Sequence, residues 1–373
     1  MSKRNLIAIS YAKQTLVPGS REYKRMQSYA ALLDSYHVIV FTRAGEQFPA
    51  YQQSGTLHLY ATNARTKLGM LWQSYAIGRK ILKQNQEQQF VVSSQDPFET
   101  SLVGRALARS HNATHQVQIH GDVFNPASYR TSVLQRLRVI YGRYVVAHTS
   151  AIRVVSDRIK RSLIAQSIPP EIITVLPVQA DLSSLLRIGA KRVHTSGPLQ
   201  LLFLGRLAPE KQIPLLLQAC VILRDNGLDF HLTIVGSGPE EKLVTETIKQ
   251  HQLGNLVTST PWVSDISAVM QKSDVLCLTS AHEGWGMVLL EAAAAGLAIV
   301  STDVGCIGEC LVDTESVLVA STAKEFATAL TTLQDPTVRT ALSTKAHQAA
   351  KEFTLDETDY TSKLVAGYFA KPN

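Results

Sequence analysis

Residues 281–296 read AHEGWGMVLLEAAAAG. Before them, SDVLCLTS (273–280) is a short apolar run that predicts a strand, and after them LAIVSTDVG (297–305) predicts another. Between the two, AHEG is a turn and WGMVLLEAAAA a helix of strong helix formers that Gly296 ends at its C-cap. Strand, glycine turn, helix and strand in this order make a βαβ unit, which commits the sheet around it to parallel pairing.

The same stretch carries candidate chemistry. A helix that follows a strand and a glycine turn offers free backbone N–H groups and the positive end of its dipole to an anion. Gly284 and Gly286 let a phosphate approach the backbone closely. Gly284 and Glu291 are seven residues apart, which along a helix is two turns and about 10 Å, roughly the length of a diphosphate plus a ribose. Glu291 is then placed for a ribose diol, and Glu283 for whatever group the diphosphate carries. Either glutamate alone reads as a helix cap or a solvated charge; their joint occurrence with both glycines favours a ligand role.

Outward from this unit the alternation of strands and helical patterns continues through the chain of 373 residues. In the first half, strands are predicted at NLIAISYA, HVIVFTRA, LHLYAT, FVVSSQ, HQVQIHG, AIRVVSD and IITVLPV. The polar stretch QADLSSLLRIGAKRVHTSGP reads as a linker, and alternation restarts with LQLLFLGRL, FHLTIVGSG and LVTSTPWV. The expected fold is α/β, with two Rossmann-like, doubly wound parallel-sheet domains facing each other across a cleft. The expected divisions are a basic domain over 1–185, a second domain over 196–350, and a helical segment over 351–373 packing back toward the first domain.

With 45% hydrophobic and 18% charged residues the chain reads as ordered and globular. Cys220 and Cys277 stand singly in apolar runs, while Cys306 and Cys310, with three residues between them and no histidine nearby, give a weak metal signal and read first as two small buried thiols; all four suit a reducing compartment. The N-terminal LIAI run is too short for a signal peptide core or a membrane span, so neither export nor a transmembrane helix is expected. Charge divides unevenly. Residues 1–180 hold 22 Lys and Arg against 9 Asp and Glu, whereas the remainder hold 15 against 21. The basic half is suited to an anionic leaflet or to a ligand bearing a lipid pyrophosphate. No helix-turn-helix, zinc or RNP pattern supports nucleic acid.

The paired glutamates around Gly284 and Gly286 resemble the signature of retaining glycosyltransferases of family 4, also called glycosyltransferase group 1, which have the GT-B fold. That resemblance implies that Glu283 contacts hydroxyls of the transferred sugar, that the backbone amides of Gly284, Trp285 and Gly286 hold the distal phosphate, and that Glu291 binds the nucleotide ribose. Trp285 stands where the family often has phenylalanine.

Other motifs agree with this resemblance. FLGRLAPEKQI places Arg206 just beyond a strand and Lys211 further on, two cations that can converge on a diphosphate and offset its charge without a metal. The family's phosphate-binding pair has this pattern. No D-x-D occurs in the chain, so no metal and no cofactor are expected. His120 in QVQIHGDVFNP ends a strand on its ligand-binding edge; the resemblance places it beside the donor sugar, with Asp122 as a candidate acceptor group. Gly19, in the loop after the first strand, is the single glycine where family members often have several, and is expected to line the donor phosphate. IVGSGPEEKL reads first as a structural turn, and STDVGCIGE as a packing element.

The resemblance therefore implies transfer of a hexose-type sugar from a UDP or GDP sugar to a glycan or lipid-linked acceptor, with retention, in cell-surface polysaccharide or glycolipid biosynthesis. A cytoplasmic location is expected, and the charge of the basic domain suggests peripheral association at the inner face of the plasma membrane. A nucleotide-sugar epimerase or hydrolase on the same fold, or a non-catalytic sugar-nucleotide sensor, would share the binding motifs. A dehydrogenase is disfavoured because SYAKQTLVPG lacks G-x-G-x-x-G after the first strand.

Overall fold

The computed structural model of the chain describes residues 3–122, 124, 133–179, 181–354 and 356–369. These form two compact units, Met1–Pro177 with Asp356–Asn373, and Val178–Leu355.

The first unit carries β1 (Asn5–Ser10), α1 (Arg21–Ala30), β2 (Ser35–Val40), β3 (Tyr51–Ser54), β4 (Leu57–Ala61), α2 (Lys67–Gln84), β5 (Phe90–Ser94), α3 (Glu99–His111), β6 (Thr114–Ile119), α4 (Val133–Ala147), β7 (Ala151–Val154), α5 (Asp157–Ile164) and β8 (Ile173–Val175). The strands lie in the order β3-β4-β2-β1-β5-β6-β7-β8. All neighbours pair parallel except β3 and β4, where Tyr51 faces Tyr60 in an antiparallel register. Inner strands such as β5 are buried along their whole length, as parallel strands covered on both faces must be. Edge strand β3, with the sequence YQQS, is half exposed and has no apolar run to announce it.

The second unit carries α6 (Ser183–Gly189), β9 (Leu199–Leu204), α7 (Ile213–Asp225), β10 (Phe230–Val235), α8 (Glu241–Gln250), β11 (Val257–Thr260), α9 (Ile266–Gln271), β12 (Val275–Leu278), α10 (Met287–Ala294), β13 (Ala298–Ser301), β14 (Leu318–Val319), α11 (Ala323–Thr332) and α12 (Pro336–Phe353). Its parallel sheet runs β11-β10-β9-β12-β13-β14. Phe203, Leu217, Phe230, Leu232, Val275 and Phe326 belong to one continuous core around that sheet.

The last helix, α13 (Glu357–Phe369), belongs to the first unit. Buried Arg153 on β7 donates to Tyr360 Oη (3.0 Å), Gln118 on β6 donates to Tyr368 Oη (2.8 Å), and Gln116 donates to Gly367 O (3.0 Å). Each of these bonds satisfies a polar group that burial would otherwise penalise.

The stretch expected as a linker is structured and tied into the second unit. It contains α6, and Arg192 donates to Met270 O, Ser273 O and Ala295 O at 2.6–2.7 Å. Arg339, buried to 1% exposure, donates to Thr195 O, Leu333 O and Gln334 O. Composition hid this role, because an arginine that caps carbonyls looks in sequence like a solvated one. Among the described residues, no helix is long and apolar enough to cross a membrane.

Candidate active site

In the second unit, the loops after β9 and β12 meet. Ala281 N donates to Glu210 O (2.7 Å), Thr279 Oγ1 donates to Lys211 O (2.8 Å), and Thr302 Oγ1 donates to Ser280 O (2.6 Å). Lys211 closes a 3-10 turn at Pro209–Lys211, whose first-turn proline presets the backbone. Its Nζ forms an ion pair with Glu283 Oε1, the same oxygen that accepts from Ser280 Oγ at 2.7 Å. Both side chains of the pair are 15% exposed. The partial burial strengthens their attraction and makes loss of either partner costly.

Arg206 was expected to converge with Lys211 on one anion. In the structure it is 66% exposed on its side chain and reaches Glu210 Oε1 at 2.7 Å, so each cation is paired with a different carboxylate. The exposed arginine is the easier of the two to redirect, since a surface pair contributes little stability.

The turn before α10 departs from the expected helix. The helix begins at Met287 rather than Trp285, and Gly286 stands at its N-cap with φ 72°, in the left-handed region. Gly284 and Glu291 therefore do not lie two turns apart on one helix. Glu291 is within α10, whereas Gly284 sits in the preceding turn. The C-terminus matches the expected glycine stop. Gly296 N donates to Ala293 O and Leu297 N to Ala292 O, both at 3.0 Å, the bond pattern of a Schellman end. His347 Nδ1 meets Ala294 O at 2.8 Å and Arg192 Nε meets Ala295 O at 2.7 Å, so two basic side chains close the negative end of the site helix.

The Trp285 indole turns away from the turn. It is 3% exposed and stacks on Phe353 with centroids 4.9 Å apart, so the ring is committed to packing. Its Nε1–H is buried without a partner among the described residues. Behind that backbone lies Gly305, with φ 60°. A Cβ there would come within 2.5 Å of Trp285 O and 3.1 Å of Gly286 N, and Cys306 N already donates to Trp285 O at 2.9 Å. The segment STDVGCIGE is thus the rear wall of the glycine turn.

Gly236 and Gly238, in the segment read as a structural turn, do the same for the Arg206 loop. A Cβ at Gly236 would fall 1.9 Å from Gly205 O, and one at Gly238 2.3 Å from Leu207 O. Leu207 N donates to Ser237 O and Glu240 N to Leu207 O, extending the β9–β10 pairing past the strands.

In the first unit, Gly19 and His120 follow β1 and β6, hence both stand at the carboxyl edge of the sheet, where doubly wound folds bind ligands. Gly19 has φ 82° and open space around its missing side chain, immediately before Ser20, which caps α1 by accepting from Tyr23 N. His120 Nε2 lies 3.2 Å from Gln118 Oε1. That oxygen already accepts from Arg153 Nη1 (3.1 Å), and an arginine only donates, so it is the amide oxygen that faces the ring. Nε2 therefore carries the proton and Nδ1 the lone pair. Desolvation by the protein around it, then the charges of Arg153 and Arg25, push the His120 pKa down. At neutral pH it is an uncharged hydrogen-bonding group, unsuited to act as an acid.

Gln118 and Arg153 were not anticipated as partners of His120. The signal was available: Gln116, Gln118 and His120 alternate on one side of a strand whose other side carries Val117 and Ile119. Asp122 is described and has interactions of its own, but no geometry here assigns it a role.

Residues 187–351 match the family described as glycosyl transferases group 1, and residues 24–179 match the glycosyl transferase 4-like domain. Between them the two matches take in most of both units. The chain belongs to the group 1 glycosyltransferases. Its fold is GT-B: it resembles sucrose-phosphate synthase from Thermosynechococcus elongatus with a TM-score of 0.76 at 16% identity, covering 98% of each chain. It likewise resembles Alr3699/HepE from Anabaena, solved in complex with UDP, with a TM-score of 0.72 at 15% identity, covering 97% of this chain and 98% of that one. In sequence it is 31% identical over 129 residues to glycogen synthase from Mycobacterium tuberculosis, a match covering 33% of this chain and 30% of the relative. The match thus spans less than a third of that relative's length. Among the described residues of this group 1 member, no cluster of three or more His, Cys, Asp or Glu is placed to hold a metal ion.

Proposed function

We propose that the protein transfers a hexose-type sugar from a nucleoside diphosphate sugar to a glycan or lipid-linked acceptor, with retention of configuration and without a metal. The observation that carries this reading is the Lys211–Glu283 pair seated against a glycine turn whose backbone Gly305 supports from behind. On this reading the donor diphosphate takes Lys211 from Glu283 and draws in the exposed Arg206, so that two guanidinium and ammonium charges balance the leaving group. Glu283, still held by Ser280, then turns to the hydroxyls of the sugar. Glu291 takes the ribose diol, and the first units of backbone at Gly284–Gly286 donate to the distal phosphate.

The acceptor falls to the basic first unit, where His120 Nδ1 can accept a hydrogen bond from a hydroxyl. In the transfer step the acceptor oxygen bonds to the anomeric carbon on the face that the diphosphate leaves. The bond to the phosphate oxygen breaks, and that oxygen takes the acceptor's proton. No enzyme nucleophile is needed, and trapping a covalent glycosyl-enzyme would sink this mechanism. The Anabaena neighbour's UDP makes uridine nucleotides the first donors to test, with GDP second.

The test is a thermal-shift panel of UDP, GDP, ADP and TDP and their sugars, with and without EDTA. A rise of several degrees for one nucleotide, unchanged by EDTA, is expected. A shift abolished by EDTA would overturn the metal-independent site, and no shift with any nucleotide would overturn the donor assignment.

A further inference from the structure

Helices α2, α3 and α4 connect β4, β5, β6 and β7, which succeed one another in one direction across the parallel sheet. Right-handed crossovers put all three on the same face, with their N-termini at the carboxyl edge. Bonds from α3 to α4 hold them side by side: Arg105 donates to Tyr144 Oη (3.2 Å), and Arg138 to Glu99 Oε2 (2.7 Å).

Helix α4 has two apolar faces. Val139, Gly142, Val145 and Val146 are buried against the sheet side. On the opposite side Val133, Leu137, Ile140 and Tyr144 recur at spacings of three and four, and are 71%, 57%, 62% and 46% exposed. Leu134 beside them is 77% exposed. The first, buried face accounts for the folding of the helix; the second has no such use. It does not stand alone. Leu68 and Trp72 in the first turns of α2 are 78% and 71% exposed, and Leu102 near the start of α3 is 46% exposed. Tyr144 also lines an apolar groove of about 400 Å³ with Phe124, Val146, Leu163 and Ile168, which continues this surface to α5.

The charge around this surface is of one sign. Helix α2 contributes four Lys and Arg and α4 three, with no Asp or Glu in either. On α3 the single acid is Glu99, and Arg138 neutralises it. We propose that this face docks on an anionic lipid bilayer, with α4 lying in the interface plane and its outer apolar stripe at the headgroup–acyl boundary. An apolar face bordered by cations is the composition that such interfacial helices need. A second copy meeting this face across a two-fold axis would oppose cations to cations, and a nucleic acid would leave the apolar stripe without a use.

The test is flotation of the full chain with vesicles of phosphatidylcholine, alone or mixed with phosphatidylglycerol. Binding to the mixed vesicles is expected to be at least tenfold tighter and to fall with salt. Arg136→Gln/Arg143→Gln should weaken it roughly fivefold per charge removed. Leu137→Glu/Ile140→Glu, at exposed positions, should abolish it with the melting temperature unchanged. Bromination of the lipid tails should quench Trp72, with Trp72→Phe as the control. Failure to float with anionic vesicles, flotation by the Leu137→Glu/Ile140→Glu variant equal to the wild type, or a dimer that this variant turns into monomer would each overturn the proposal.

Discussion

Gly305 and Gly308 form a controlled pair for testing whether the rear wall of the glycine turn sets nucleotide affinity. Both have positive φ, at 60° and 83°. Alanine at either position costs about 1 kcal/mol for the left-handed backbone, which in a unit of this size lowers the melting temperature by about 2–4 °C. At Gly308 nothing lies within 4 Å of the new Cβ, so the cost should end there. At Gly305 the Cβ would meet Trp285 O at 2.5 Å, against ordinary contact from 3.4 Å, and the obstacle is backbone rather than a flexible side chain. The Trp285–Gly286 peptide must then move by about 0.9 Å or Cys306 N must lose its bond to Trp285 O. A displacement of that size in the groups proposed to cradle a phosphate should weaken nucleotide binding by about 1–3 kcal/mol, or roughly 5- to 150-fold. Titration calorimetry with UDP, or with whichever nucleotide the thermal-shift panel selects, gives both dissociation constants. Gly308→Ala should bind as the wild type does. If Gly305→Ala also does so, or if the two variants lose affinity equally, the peptide behind Gly305 is not part of the ligand site.

The glutamates should separate by function. Glu283→Gln keeps an oxygen for Lys211 and Ser280 but loses the charge, so sugar turnover should fall by about 10²–10³ while nucleoside diphosphate affinity stays within about threefold; Glu291→Gln should weaken the nucleotide itself by about tenfold. Equal effects on nucleotide affinity would show the roles to be misassigned. Trp285→Phe removes a buried, unpartnered N–H while keeping an aromatic ring against Phe353, so the gain and the lost packing should nearly cancel. A loss of more than about 5 °C in melting temperature would contradict this balance. Acid should destabilise the first unit. Burial first, then His58 for His37 and Arg105 for His115, hold both histidines down to about pKa 4, against about 6.5 in the unfolded chain. The unfolded state thus binds more protons between these values. Stability is full above about pH 6.5 and should fall toward pH 4 by about 1.4 kcal/mol per pH unit for each histidine. Urea midpoints at several pH values measure the slope, and a midpoint flat between pH 6.5 and 4.5 would refute it.

The fold was legible wherever burial writes itself into composition. β5 and β12 are buried throughout and β9 at every residue but Gln200, and they read as mainly apolar runs, FVVSS, VLCL and LQLLFL. The strand that escaped notice, Tyr51–Ser54, is the antiparallel edge with alternating half-exposed polar residues. The segment misread as a linker failed for the opposite reason. Its stabilising contacts are arginine-to-carbonyl bonds, Arg192 to Ala295 O among them, and these leave no periodic trace.

For the candidate site the division is different. Residues proposed for a side-chain task, Lys211, Glu283 and Glu291, stand out because charges in and around apolar strand–turn–helix units need an explanation. The residues that hold them in place act through absence of a side chain or through backbone. Gly236 and Gly238 permit the Arg206 loop to run against the loop after β10, and Gly305 permits the turn at Trp285 to close. A glycine required by such an approach looks in sequence like any glycine in a turn, since the partner is a peptide group far along the chain. The Gln116–Gln118–His120 alternation lies between these extremes. Period two declares a polar face on β6, but only the return of α13 to that face, with Tyr360 and Tyr368, supplies the partners that make the pattern intelligible. The tautomer of His120 follows from that network, because Arg153 can only donate and so turns the Gln118 oxygen toward the ring. A helix from the last residues of the chain thereby helps set the hydrogen-bonding character of a residue at position 120, a dependence that no local reading of IHGD contains.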